Sequence, residues 1–548
     1  MPREILTVQV GQCGNQLGCK MWDVLVEEHL NAMLQPPAPP HAVPSSSSSS
    51  AFSLHPTDAA FDALSCMFEY IPHRHLPSGA DSSVSGEPTV LHGRRGYAPT
   101  AAERHRQSVL TRQMFRERLR ARCVAVDLEE GVLNAMSRGP LGNLFDARHF
   151  VSDVSGAGNN WAVGHLEYGD RYIDSIQESV RRATERCDSL QGFLLIHSLG
   201  GGTGSGLGSR CLGMLEEAFP DVFRFVAAVL PPMADGLEDV VTAPYNTCFA
   251  LREVIEHADC VFPVDNSALI AMSDAALKGS GADASPPQHG LPPSAFSQQL
   301  RRPTANEAKK AFSIAEPTAT KLPFDSMNSI AAQMLSNLTC GVRFPGSLNM
   351  DVNEISTNLV PYPRLHFMVP SMSPLSATRH NLAGAKHIDG MFADLLQPDH
   401  SLLTCDARRH TSLACAFLAR GHDVVVEDFT RNVPKVFARM RMVYFNPNGC
   451  KTAMCSQPPV GLSQAMLMLN NTCAMADPLS VVRDKFAQLY RVRSHAHHYE
   501  RYLEATYFEH TLDIISSVID DYAGLNEMYA GAEGVPKPPQ SLRQFLTL

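Results

Sequence analysis

The sequence lacks any long hydrophobic run. No stretch of its 548 residues approaches the roughly 18 consecutive apolar residues of a membrane-spanning helix. The amino terminus also lacks the basic stretch and the following apolar run that mark a secretory signal. We therefore expect a protein that is neither inserted into a membrane nor secreted.

Clustered cysteines are missing as well. The 14 cysteines are scattered singly, as at Cys13, Cys66 and Cys123, with no CxxC pair and no histidines at zinc-finger spacing. This distribution predicts neither a disulfide framework nor a zinc site. It favours reduced thiols in an intracellular protein.

An excess of positive charge is the third absence. The chain has 46 Lys and Arg against 56 Asp and Glu, a formal net charge of −10, which argues against a protein that coats nucleic acid. The composition is 44% hydrophobic and 19% charged, which is typical of a folded protein and excludes wholesale disorder. The length predicts two or three domains.

The first third of the chain alternates between two kinds of pattern. A β-rich segment at 4–10 leads through a glycine-bearing turn into a helical stretch. Further apolar strands are predicted at 123–128, 192–197 and 223–230, with helical stretches between them. Strands that alternate with helices indicate an α/β fold with a mostly parallel sheet covered on both faces.

Two stretches interrupt this pattern. Residues 35–108 contain a proline-rich run followed by a serine run, and residues 278–320 carry further prolines and glycines. We interpret both as insertions. Beyond them the patterns predict a strand at 364–369 and two helices within 478–529. The predicted domains are an N-terminal α/β domain at 1–270, an insertion and connection at 271–325, an intermediate α/β domain at 326–460 and a C-terminal helical region at 461–548.

The strongest local signal is the glycine-rich segment from Ser198 to Gly206. It follows an apolar strand and precedes a helix, an unusual place for a flexible linker. Glycines let the backbone approach an anion closely, and successive N–H groups at a helix start converge on phosphate oxygens. Thr203 and Ser205 add hydroxyl donors. No Lys-Ser or Lys-Thr closes the loop, so it is not a Walker A motif.

This loop, GGGTGSG, together with the N-terminal GQCGNQ, resembles the tubulin family. Further similar segments are Val126–Glu129, Gly156–Trp161, Pro244–Asn246, Val264–Asn266 and Asn358–Phe367. The resemblance covers nearly the whole chain outside the two insertions. It implies a Rossmann-like GTPase domain, a second mixed α/β domain and a C-terminal helical hairpin, with GTP or GDP and Mg²⁺ as cofactors.

The resemblance also implies roles for individual residues. Asp127 and Glu129 match acids near magnesium, whose hard charge suits carboxylate oxygen. Asn266 and Asn328 match asparagines that read the base, while Phe324 matches an aromatic that stacks on the purine, although a core position is its other reading. The remaining positions that match nucleotide contacts are Gln12, Cys13, Gln16, Asn159, Ser198, Gly201, Gly202, Thr203, Gly204 and Asp239.

Two positions, Cys13 and Ala243, need comment. Cys13 is interpreted as a packing residue and not as a nucleophile, because the sequence places no base beside it. Directly before Pro244 the family commonly has an acid that bonds the ribose, whereas this chain has Ala243. Losing a charge-assisted hydrogen bond costs about 1.5–3 kcal/mol, so we hypothesise weaker or altered nucleotide selection.

In tubulins the acid that completes GTP hydrolysis comes from the next subunit along a filament. The matching residue is Glu354, and a carboxylate there is suited to orienting or deprotonating water. Asp351 is expected to support it. The alternative reading of Glu354 is an exposed helix acid. Hydrolysis in trans at a subunit interface therefore stays one hypothesis, and the chain's status as a slow, assembly-coupled GTPase stays open.

Three segments, at 257–266, 347–359 and 495–499, are similar to the epsilon branch of the family. That resemblance implies a cytoskeletal subunit of centrioles, basal bodies and centrosomes, needed for doublet and triplet microtubules. The implied partners are δ-tubulin, α- and β-tubulin and centriolar proteins. The alternatives are a γ-tubulin-like nucleating or capping subunit and a nucleotide-locked scaffold. An ordinary soluble GTPase is disfavoured, because Glu354 lies too far along the chain from the glycine loop.

Overall fold

The computed structural model describes residues 3–34, 63–71, 117–232, 240–279, 324–344, 346, 348–375 and 387–530. Most of both predicted insertions, and the predicted nucleotide contact Asp239, lie outside these residues. Among the described helices, none is both long enough and apolar enough to cross a bilayer. None of the 14 cysteines forms a disulfide.

The N-terminal domain is built on a six-stranded sheet in the order β5-β4-β1-β6-β7-β8, in which every neighbouring pair is parallel. This confirms the predicted α/β class. The strands are β1 (Glu4–Val10), β4 (Cys123–Asp127), β5 (Phe150–Ser152), β6 (Leu190–Ser198), β7 (Phe223–Leu230) and β8 (Cys260–Asp265), and a separate hairpin pairs β2 (Phe68–Tyr70) with β3 (Leu119–Ala121).

Helices cover both faces of this sheet, because alternate strand residues are apolar towards each side. In β1, for example, Leu6 and Val8 belong to one core and Ile5 to the other. The helices of the domain are α1 (Gly11–Leu34), α2 (Glu130–Arg138), α3 (Tyr168–Thr184), α4 (Gly208–Ala218), α5 (Ala243–His257) and α6 (Asn266–Gly279).

The second domain contains a mixed sheet. Strand β10 pairs antiparallel with β13 and parallel with β11 and β12, and β13 pairs antiparallel with β9. The predicted strand at 364–369 is shifted, since β9 begins only at Met368. The elements are α7 (Asp325–Arg343), α8 (Val352–Leu359), β9 (Met368–Ser373), α9 (Ile388–Asp394), β10 (Thr411–Gly421), α10 (Val426–Phe437), β11 (Arg441–Met442), β12 (Cys450–Cys455) and β13 (Gln464–Thr472).

The two predicted C-terminal helices are present as α11 (Ala476–Arg491) and α12 (Ala505–Ala530), and they pack on the N-terminal domain. Aromatic rings form the contact: the ring of Phe249 on α5 lies 5.5 Å from that of Phe486 and 5.2 Å from that of Phe508. Such pairs add to the stabilisation from buried apolar area.

A buried charged cluster joins the two domains. Glu28 of α1 contacts Arg343 of α7 at 2.8 Å and Arg420 of β10 at 3.0 Å, and all three side chains are fully buried. Ser336 donates a further hydrogen bond to Glu28 at 2.6 Å. Burial alone would raise the pKa of Glu28, but the two arginines lower it to about 2. The cluster therefore stays ionised at neutral pH.

A second cluster surrounds His257 at the end of α5. Its Nδ1 lies 2.5 Å from a carboxylate oxygen of Glu216 on α4, and its Nε2 lies 3.4 Å from Glu253. The hydroxyl of Tyr507 on α12 donates to Glu253 at 3.1 Å. Hydrogen bonds to Glu253 and Glu216 raise the pKa of His257 to about 9, so the ring is charged at neutral pH.

Candidate nucleotide-binding site

The order of the strands places the segments that follow β1 and β6 side by side. From β1 the chain moves outward to β4 and β5, and it then returns to the other side of β1 to form β6. In open α/β sheets, ligands bind where the strand order reverses, at the carboxyl ends of the strands. Here that point lies between the first turn of α1, which follows β1 directly, and the glycine loop that follows β6.

The glycine loop is packed too closely for other side chains. It runs from Ser198 at the end of β6 through a π-helical turn at Thr203–Leu207 into α4. A Cβ on Gly202 would lie 2.6 Å from the backbone nitrogen of Asn160, and one on Gly204 would lie 2.9 Å from the carbonyl oxygen of Ser198. Glycine at these two positions therefore lets the loop pack directly against Asn160 and the end of β6.

The first turn of α1, which follows β1 without a loop, lies directly against the glycine loop. Gly11 has a φ of +74°, and a Cβ there would approach the backbone nitrogen of Gly204 to 2.9 Å. Gln12 is exposed, while Cys13 and Gln16 are half-buried. Burial raises the pKa of the Cys13 thiol to about 11, so it stays protonated at neutral pH. This agrees with its interpretation as a packing residue.

Asn15 is a positioning residue that sequence reasoning missed. Its side chain is fully buried and donates to the carbonyl oxygens of Gly11 and Val126, both at 3.0 Å. Asn15 thereby connects the first turn of α1 to the end of β4. The only sequence signal was its place inside the GQCGNQ segment.

The loop at 156–161 completes this edge of the sheet. Gly158 and Asn159 both adopt left-handed backbone conformations, with φ of +56° and +54°. The side-chain oxygen of Asn159 would lie 3.9 Å from a Cβ on Gly201, so Asn159 lies beside the glycine loop, and its contact with the nucleotide stays a prediction. The hydroxyl of Thr242 donates to the Asn159 carbonyl at 3.0 Å.

Asn246 on α5 holds the glycine loop and the loop at 156–161 together. Its amide nitrogen donates to the carbonyl oxygens of Asn159 at 2.8 Å and Gly200 at 2.9 Å. Its amide oxygen accepts from the backbone N–H of Trp161 at 2.8 Å and from the hydroxyl of Tyr499 at 2.6 Å. The sequence placed Asn246 in a matching segment but indicated no role for it, because all four contacts are distant in the chain.

The two predicted metal-binding acids lie at the end of β4. Asp127 is buried, and burial raises its pKa to about 6. Among the described residues its Oδ2 has no hydrogen-bond partner, whereas Oδ1 accepts from the backbone N–H of Glu129 at 3.4 Å. The Glu129 side chain lies against Gly156 of the loop at 156–161.

These acids fit a magnesium ion that is shared with a nucleotide. A buried carboxylate oxygen without a partner is stabilised by a nearby cation, and Mg²⁺ is commonly held by one or two carboxylates plus phosphate oxygens. Within the described part of the chain, no group of three or more His, Cys, Asp or Glu side chains is arranged to hold a metal by itself. Asp127 and Glu129 would hold the ion, which would neutralise phosphate charge.

The predicted base contacts Asn266 and Asn328 lie on two helices, α6 and α7, and α7 also contacts α1. Lys20 of α1 contacts Asp325 of α7 at 2.5 Å, and the hydroxyls of Ser273 on α6 and Ser326 on α7 are 2.9 Å apart. Near these contacts, Asn266 is the first residue of α6 and Asn328 lies in the first turn of α7; both side chains are half-buried.

Phe324, directly before α7, is 48% exposed. Its reading as a core residue was therefore wrong, and stacking on a base stays a prediction. Ala243 opens α5 and is 2% exposed; its Cβ would lie 3.8 Å from a Cβ on Gly200. The position that lacks the expected acid thus borders the glycine loop.

Glu354 is placed at the opposite edge of the sheet. It lies on α8, and Lys451 of β12 contacts its carboxylate at 2.5 Å. Asp351 accepts a hydrogen bond from Gln191 at the start of β6 and pairs with Arg3 at 3.4 Å, and its support of Glu354 stays a prediction. Sequence reasoning missed Lys451, which is 97 residues away in the chain (451 − 354).

A glycine loop at the switch point of a parallel sheet, with two carboxylates and Asn159 nearby, is typical of nucleotide-binding domains. Residues 4–274 match the GTPase domain of the Tubulin/FtsZ family, and residues 363–483 match the tubulin C-terminal domain. The chain therefore belongs to the tubulin family, as the sequence motifs predicted.

Among its relatives is the tubulin epsilon chain of Mus musculus, which is 37% identical over 528 residues, 95% of this chain and 96% of the relative. The tubulin epsilon chain of Homo sapiens is 36% identical over 523 residues, 95% and 96% of the two chains. The tubulin beta-1 chain of Mus musculus is 28% identical over 534 residues, 97% and 96% of the two chains. The predicted similarity to the epsilon branch is confirmed.

Proposed function

We propose that this protein is a GTP-binding structural subunit of the cytoskeleton that acts at centrioles and basal bodies. In this proposal it is needed for doublet and triplet microtubules and associates with other tubulins, including δ-tubulin. Its similarity to tubulin epsilon chains over nearly the whole chain supports this assignment. GTP hydrolysis, where it occurs, is slow and is completed in trans.

The nucleotide has a defined place in this proposal. Backbone N–H groups of Gly201–Gly204 and the hydroxyls of Ser198 and Thr203 bind the phosphates, with Asn159 facing the γ-phosphate. Asp127 and Glu129 hold Mg²⁺. Gln16, Asn266 and Asn328 contact the base, on which Phe324 stacks.

One observation carries the trans mechanism: Glu354 and the glycine loop of the same chain lie at opposite edges of one sheet. Asp351 at the start of α8 is bonded to Gln191, and Ser356 donates to the Asp259 carbonyl at 3.5 Å, directly before β8. Both anchors lie where strands begin. Seven residues at ~3.3 Å each separate Gln191 from Ser198, so the glycine loop is about 23 Å away.

A carboxylate at that distance cannot orient water on its own chain's γ-phosphate, since this requires hydrogen-bond reach of ~3 Å. A neighbouring subunit stacked edge to edge would receive it. In the free subunit Lys451 neutralises Glu354. We therefore expect the acid to act only at an interface.

Replacing Glu354 by Gln tests the mechanism. Assembly-coupled phosphate release should fall at least tenfold while bound nucleotide, measured after denaturation by chromatography, stays unchanged, because the acid touches only the neighbour's site. Glu427→Gln on the exposed first turn of α10 is the matched control and should release phosphate normally. Equal release by both variants contradicts the trans role.

Two further measurements separate the whole proposal from its alternatives. Purified protein that contains no exchangeable guanine nucleotide would indicate a locked scaffold. A tagged copy should lie in centriole walls, whereas confinement to spindle-pole nucleation sites would favour a γ-tubulin-like role.

A further inference from the structure

An open pocket lies on the N-terminal domain, away from the nucleotide loops. It has a volume of about 400 Å³ and is lined by Arg148, His149, Arg182, Glu185 and Arg186. We call these residues the arginine pocket. They come from the short turn Ala147–His149 before β5 and from the end of α3, which precedes β6. The pocket therefore borders the edge where strands begin, opposite the glycine loop.

The lining is strongly basic. Its positive charge comes from three guanidinium groups, and among the described residues the only carboxylate in the lining is that of Glu185. Neighbouring acids use part of the donor capacity of all three arginines. Arg148 bonds Asp146 through Nε at 3.2 Å and Nη2 at 2.8 Å, Arg182 bonds Glu178 through Nε at 2.7 Å, and Arg186 bonds acids through Nη1. Within the described part of the chain, both terminal nitrogens of Arg182 have no hydrogen-bond partner. Each free face of a guanidinium can bind a carboxylate through two N–H groups.

His149 adds a second, independent observation. It is 4% exposed, and its Nδ1 has no hydrogen-bond partner among the described residues. A buried polar atom without a partner is costly, and a ligand at the pocket that reaches it would recover that cost. Burial lowers the pKa of His149, so the ring is uncharged at neutral pH and has both a donor and an acceptor nitrogen.

The size and shape of the pocket favour a chain over a single ion. Volumes of 300–1,000 Å³ are typical of sites for ligands of roughly drug size, and the basic groups here are spread over two elements. The side chains of Arg148 and Arg182 are 61% and 53% exposed, so they are open to a ligand from solution. We propose that the arginine pocket is a docking site for an acidic peptide segment of a partner protein, bound through its carboxylates.

The test uses the full chain and a fluorescent ten-residue glutamate peptide, with a ten-residue glutamine peptide as the uncharged probe. Fluorescence anisotropy should detect only the glutamate peptide, and binding should weaken as salt rises. Arg182→Glu combined with Arg148→Glu should weaken binding roughly tenfold or more. Both residues are exposed, so the variant should fold, and an unchanged content of bound nucleotide checks this.

Arg171→Glu is the matched control. Arg171 lies on the same helix, is 54% exposed, and is about 16 Å from Arg182 along the axis. It should leave peptide affinity within about twofold of the original. Equal losses in the control and in the pocket variant would overturn the proposal, as would absence of binding by the glutamate peptide. Inorganic phosphate that binds in an Arg182-dependent way while the peptide does not would also overturn it.

Discussion

Asn246 gives the sharpest test of how the site is assembled. Its fully buried amide makes four hydrogen bonds. It donates two to the carbonyls of Asn159 and Gly200, and it accepts two from Trp161 and Tyr499. Replacing Asn246 by Ala removes all four. At a net value of about 1 kcal/mol each, the loss of unfolding free energy is about 4 kcal/mol. For a domain of this size, that predicts a fall in melting temperature of roughly 5–10 °C.

The same change should also weaken GTP binding. Asn246 is the shared anchor of the loops that contain Asn159 and Gly200, so both lose their fixed positions. We expect the affinity for a fluorescent GTP analogue to fall roughly 10- to 100-fold, since misplacing phosphate donors removes about 1.4–2.8 kcal/mol of binding energy. Thermal unfolding without added nucleotide and equilibrium titration measure the two effects separately.

Two further variants locate the cause. Tyr499→Phe removes only one of the four bonds and should cost about 1 kcal/mol, with GTP affinity within about twofold of the original. Asn246→Asp keeps the size and the acceptor oxygen but turns a second oxygen towards two carbonyls, so it should weaken GTP binding as Ala does. Normal GTP affinity in both the Ala and the Asp variants would refute the reasoning.

Three other predictions concern two buried or half-buried charged residues and Ala243, which replaces the acid that is common in the family. Glu28→Ala should lower the free energy of unfolding by about 3–5 kcal/mol, measured by urea denaturation, because it leaves two buried arginines without their carboxylate; a loss below 1 kcal/mol would contradict this. His257 has a folded pKa near 9 against about 6.5 when unfolded, so its contribution of about 1–2 kcal/mol is complete below pH 6.5 and lost as pH rises to 9. His257→Gln should flatten that part of the stability profile, and an unchanged slope would show that other groups cause it. Ala243→Glu should raise GTP affinity roughly tenfold by restoring a ribose contact, and no gain in a binding titration would refute that hypothesis.

Local patterns were sufficient to predict most elements of the N-terminal domain. The predicted strand at 223–230 is observed with the same bounds, and the glycine segment does connect β6 to α4. These features depend on neighbours in the chain: an apolar run long enough for a buried strand, then glycines at a helix start. Local patterns did not predict the start of β9, because its pairing with β13 decides that boundary.

The sequence by itself determined the family, the α/β class and the glycine segment that connects β6 to α4, because each is encoded in contiguous residues. Only the tertiary structure decided that Asn246 joins two loops, that Lys451 contacts Glu354, and that Phe324 is exposed. It also placed three arginines around one pocket. Such contacts join residues that are far apart in the chain, and they depend on strand order and helix packing, which no local pattern specifies.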